Sequence, residues 1–121
     1  GRPETPADMA RHDFVGVPNV DGLIATLGAL GIPVTEKNFT TASDNGIVVT
    51  EFLKAGYGIS LLPAAICDRE PGLEALFPEL ETPRVPIWLV THREVQTSPR
   101  IRMVYDLLAQ ALPEVSRPRR L

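Results

Sequence analysis

Few side chains in this chain are of the types that do chemistry, and those few are scattered. His12 and His92 lie far apart, with no cysteine or acid at ligand spacing beside them, so a metal site is not expected. His92 reads as a surface histidine or as a pH-sensitive hinge. The single cysteine, Cys67, sits between Ile66 and Asp68 and reads as a packed thiol. There is no nucleophile-elbow Gly-x-Ser-x-Gly, no phosphate loop and no paired His-Glu zinc spacing. Glu79 and Glu81 fall in a polar loop without an acid–base partner. The chain is therefore expected to have no catalytic residues, no metal and no cofactor.

Binding has more to work with. Ser43-Asp44-Asn45 precedes an apolar helical run, and free N–H groups at a helix start favour an anion. Ser43 and the amides beside it could hold the carboxylate or phenolate of a small molecule. The same residues also make an ordinary cap, with Asp44 neutralising the dipole and working against an anionic ligand. Val17-Pro18-Asn19 follows a strand and opens a helix, where Asn19 can act as the cap. Gly56-Tyr57-Gly58 ends a helix, and Tyr57 adds a flat face and a hydroxyl. Two glycines so close imply positive φ or a close backbone approach.

The elements that position these residues follow from spacing. Thr5-Pro6-Ala7-Asp8 has a capping hydroxyl, proline at the first helical position and an acid in the first turn, so a brief helix is expected to end near His12. Phe14 to Val17 reads as a strand closed by Pro18. Val20, Leu23, Ile24, Leu27 and Leu30 form one helical stripe that Gly31 and Pro33 stop. Phe39 to Ala42 reads as a weaker strand. A helix then runs from Ser43 through Ile47, Val48, Phe52 and Leu53 to Gly56. Ile59 to Leu62, bounded by Gly58 and Pro63, reads as a strand buried on both faces. Ala64 to Arg69 suits one or two helical turns. Pro71 to Pro83 is turn-rich, with Leu73, Leu76, Phe77 and Leu80 as anchors. Val85 to Thr91 reads as a long strand containing the only tryptophan, Trp88. Ser98-Pro99 opens a last helix with Ile101, Val104, Tyr105, Leu108 and Leu112 on one face, ended by Pro113. This alternation predicts an α/β fold with a mostly parallel sheet and helices on both faces.

Composition bounds the rest. At 121 residues the chain is at most one domain, and it has length enough to bury roughly 65% of its unfolded surface. Its apolar runs fall well short of the ~18 residues of a membrane span, and no secretory signal is visible at the start. One cysteine cannot form an internal disulfide, which favours a reducing, cytoplasmic setting. A net charge of −3 argues against a nucleic-acid grip by the chain as a whole. Arg117, Arg119 and Arg120 read as a solvated terminus more than as a binding patch.

The ordered set of Asp13-Phe14-Val15-Gly16-Val17, then Leu53 to Pro63, then Ile87-Trp88-Leu89-Val90-Thr91-His92-Arg93, resembles the effector-binding domain of LysR-type transcriptional regulators. The resemblance covers almost the whole chain. It implies a periplasmic-binding-protein-like (type 2) lobe, with the first lobe and the DNA-binding domain missing. Residues 1–13 would end the first lobe, 14–84 would form the second effector-binding lobe, and 85–121 would be the returning crossover strand and C-terminal helix. It further implies a small organic effector beside Val17, Pro18, Asn19, Ser43, Asp44, Asn45, Gly56, Tyr57 and Gly58. Promoter DNA would be contacted only through the absent domain, and the full-length parent would be a homodimer or homotetramer. A final helix deprived of its usual docking surface would pack differently, swap onto another copy or be poorly ordered. A lobe of a periplasmic-type solute-binding protein shares the topology and stands as the alternative.

Overall fold

A computed structural model describes residues 1–116, so the Arg117, Arg119 and Arg120 tail lies outside the described residues. The chain divides into two compact units, residues 1–62 with 70–83, and 63–69 with 84 onwards.

The first unit holds the core. Its opening turn, Pro6–Arg11, is a 3-10 helix. Thr5 Oγ1 accepts the Asp8 N–H at 3.2 Å, and the Asp8 carboxylate accepts the Thr5 N–H at 2.9 Å, a reciprocal capping box. Strand β1 (Phe14–Gly16) is wholly buried, as its unbroken apolar run requires. Helix α1 (Asp21–Ala29) buries Leu27, while Leu23, Ile24 and Leu30 pack on the core. Strand β2 (Phe39–Ala42) pairs with β1 in parallel, Phe14 opposite Phe39 and Gly16 opposite Ala42. Helix α2 (Gly46–Lys54) then lies against β1.

The third strand expected over Ile59 to Leu62 shrinks to one bridge. The Ile59 N–H donates to Asp13 O and the Val15 N–H to Ile59 O, both at 2.9 Å, beside Phe14 and parallel to it. Past Ile59 the ladder stops, and Leu61 is 38% exposed, so this run is not buried on both faces. The fold is α/β with a small parallel sheet, in spatial order β2, β1, then the Ile59 bridge.

Phe14 centres the main cluster with Met9, Leu27, Ile32 and Val34, and its ring meets Phe39 at 5.5 Å in a tilted pair. Burying each such side chain stabilises the fold by roughly 1.5–3 kcal/mol. Leu76, Phe77 and Leu80 anchor the 71–83 segment on this cluster as the sequence predicts, whereas Leu73 is only half-buried outside it. Val15 and Val49 are buried outside the cluster, consistent with alternate residues of β1 facing opposite sides of the sheet. Asn38 ties the opening turn down: its Nδ2 donates to Ala10 O at 2.7 Å and His12 O at 3.2 Å.

Helix starts differ from expectation in one consistent way. Ser43 is not the cap of α2, because its N–H bonds Gly16 O at 3.0 Å and keeps it in line with β2. Asn45 caps instead, its Oδ1 accepting the Ile47 N–H at 2.9 Å and the Val48 N–H at 3.5 Å, while Ser43 Oγ accepts the Asn45 N–H. At α1, Val20 takes the cap position, and Asn19 Oδ1 accepts the Asp21 N–H at 3.2 Å in a local turn.

The second unit has helix α3 (Ala64–Cys67), a 3-10 turn over Arg93–Val95 and helix α4 (Pro99–Val115). The strand predicted over Val85 to Thr91 does not form: Val85, Ile87, Trp88 and Val90 are 69–81% exposed. Pro86 removes a ladder donor, and among the described residues this unit offers no strand to pair with. Pro99 opens α4 as expected, but Pro113 does not end it. The helix runs on to Val115, with the Ser116 N–H reaching Leu112 O at 3.0 Å. Arg69 Nη2 donates to Val115 O at 3.4 Å and links α3 to the end of α4. Burial raises the Cys67 thiol above its ordinary pKa, with Asp68 adding to the effect, so it is a poor nucleophile. His92 is exposed, and its Nδ1 accepts the Glu94 N–H.

Candidate functional site

In a parallel sheet the chain leaves every strand at the same end, so the turns that follow β1 and β2 share a rim. Val17-Pro18-Asn19 leaves β1 there and Ser43-Asp44-Asn45 leaves β2, joined by the Ser43 N–H to Gly16 O bond. An open cleft of about 580 Å³ starts at this rim. The segment leading into α1 (Val17 to Asp21) forms one wall, and Glu36, just before β2, with Phe39 and Ala42 of β2 forms the other. Its volume falls in the range of roughly 300–1,000 Å³ used for small ligands.

The backbone explains how these walls come so close. Gly16 is buried, and a Cβ there would sit 2.7 Å from the Phe39 ring and 3.0 Å from Val20. A residue without a side chain at the end of β1 lets Phe39 and the start of α1 converge.

The nine residues expected to share one site do not all meet. Val17, Pro18 and Asn19 line the cleft. Ser43, Asp44 and Asn45 follow the lining residue Ala42 directly, at the border. Gly56, Tyr57 and Gly58 lie at the other end of the sheet. They come after α2 has run the length of the sheet, roughly 13 Å for nine residues. Gly58, at φ 145°, packs on Asp13, the residue that enters β1, and a Cβ there would overlap the Asp13 carbonyl oxygen. Tyr57 sets its ring edge-on to Phe52 at 5.2 Å. The glycines serve the chain reversal, with Gly56 at φ 80° and close backbone approach at Gly58.

Sequence reasoning missed Val20, Asp21, Glu36 and Phe39 as lining residues. Glu36 precedes β2 and Phe39 opens it, and only the parallel pairing with β1 brings them opposite the start of α1. Asp21 carried a signal as the first residue of a helix beside the Val17 loop. Chemically the cleft offers two carboxylates, Asp21 and Glu36, one amide, Asn19, and apolar surface from Val17, Pro18, Val20, Phe39 and Ala42. Among the described residues no group of three or more His, Cys, Asp or Glu is placed to hold a metal ion. No helix among them is long and apolar enough to cross a membrane.

A family model for the LysR substrate binding domain matches residues 1–113. No curated protein and no solved structure matches the chain. With nearly the whole length matched, the chain belongs to the LysR substrate binding domain family.

Proposed function

We propose that this chain is an effector-binding portion of a LysR-type transcriptional regulator and that the cleft between the start of α1 and β2 contacts the effector. The family match over residues 1–113 carries the reading, and the cleft at the rim of a parallel sheet supports it. In this reading the chain contributes a periplasmic-binding-protein-like lobe. It is a binding module in a cytoplasmic oligomer, not an enzyme.

A small organic molecule would act by differential affinity for two arrangements of the regulator, which biases its grip on promoter DNA. DNA contact would fall to a separate DNA-binding domain of that regulator. The test is calorimetric titration of the whole regulator with candidate metabolites, paired with promoter occupancy. The reading predicts one metabolite that binds and also shifts occupancy. Binding by none, with occupancy unresponsive throughout, contradicts it.

A further inference from the structure

Charge on the residues that line the cleft is one-sided, although the exposed Lys37 adjoins the lining residue Glu36 in sequence. Asp21 and Glu36 face it from opposite walls, and among the described residues neither carboxylate has an ion-pair or hydrogen-bond partner. The first unit carries four basic side chains, Arg2, Arg11, Lys37 and Lys54, and none of them lines the cleft. Three are engaged elsewhere: Arg2 with Glu74 at 2.9 Å, Arg11 with Asp8, and Lys54 with Glu51 at 2.9 Å and Glu70 at 3.4 Å.

The donors that an anion would need are also partly used. Asn19 Oδ1 takes the Asp21 N–H at the start of α1, and Asn45 Oδ1 takes the Ile47 and Val48 N–H groups at the start of α2. Asp21 and Asp44 sit beside those helix starts and offset the dipole that would attract negative charge. What remains is apolar surface from Val17 and Phe39, the Asn19 side-chain N–H donor and two free carboxylates.

We infer that the cleft selects a cationic ligand, an ammonium or guanidinium group on an apolar body, over a carboxylate of the same shape. This rests on the effector-binding reading above and specifies its ligand class. Two solvent-exposed ion pairs gained, against two repulsions avoided, predict a preference of roughly tenfold at low salt, shrinking as salt screens the charges.

Phenethylamine and 3-phenylpropanoate, alike in shape and opposite in charge, make the test. Each is titrated into the ¹⁵N-labelled chain and followed by amide shifts. The amine is expected to move the amides of 17–21 and 36–42, with affinity roughly tenfold above the acid. Asp21→Asn with Glu36→Gln, both exposed positions that leave the core intact, should bring the ratio to about one. An acid that binds as well as the amine, or a preference that survives the double variant, overturns the charge assignment and leaves the effector reading standing. If neither probe moves those amides, both the assignment and this cleft as the effector site fall.

Discussion

Helices α1 and α4 both carry an apolar stripe, α1 within a largely apolar sequence and α4 within a more polar one, and they meet opposite fates. In the first unit α1 turns its stripe onto a core in which Phe14 and Leu27 are 0–1% exposed. In the second, α4 has no buried residue, and Ile101, Val104 and Leu108 of its stripe remain 36–51% exposed. Trp88, the largest side chain of the 85–91 segment, is 80% exposed. Amphipathic spacing specifies a face; it does not supply the surface that covers it. The first unit has a sheet to cover α1, and the second, among its described residues, has none. Stability therefore resides in the first unit, and the cleft is built on that part.

The largest expected effect separates the units directly. Phe14→Ala should cost about 3–5 kcal/mol through the cavity it leaves, whereas Trp88→Ala should change stability by less than about 0.5 kcal/mol. Urea denaturation of the two variants measures both, and equal losses would break the comparison.

Next in size is the turn at the far end of α2. Gly58→Ala combines positive φ with overlap on the Asp13 carbonyl and should cost about 2–4 kcal/mol. Gly56→Ala has open space around it and should cost only the conformational penalty, about 1–2 kcal/mol. Thermal unfolding should rank the two in that order.

The smallest effect is acid-dependent. The hydrogen bond from Thr5, followed by the Arg11 contacts, holds the Asp8 carboxyl below its ordinary pKa of 3.8, although partial burial opposes this. A depressed folded-state pKa means that the contribution is fully present above the unfolded value and is lost as pH falls through the folded one. The stability difference between wild type and Asp8→Asn should therefore be constant near neutrality and close below about pH 4. A difference that widened on acidification would contradict the capping box as its source.

Much of the first unit was legible because local rules and global fold agree there. Thr5-Pro6-Ala7-Asp8, the α1 stripe, the two short strands and the glycine turn each formed where their chemistry pointed. Cap identity was not legible, because Ser43 is held by a bond to Gly16 that exists only once β1 and β2 pair. The grouping of Gly56-Tyr57-Gly58 with the rim failed for a related reason: the Ile59 bridge is parallel, so the turn before it lies at the entry end of the sheet. Val85 to Thr91 has strand composition, but a strand also needs a partner edge. Glu36 and Phe39 became cleft residues through strand pairing, which single-sequence spacing does not encode.

The most direct test of the account is amide hydrogen exchange on the chain with and without a metabolite that shifts promoter occupancy of the whole regulator. The account predicts added protection at 17–21 and 36–45, with 56–58 unchanged. Protection centred on Gly56-Tyr57-Gly58, or none in the first unit, would contradict it.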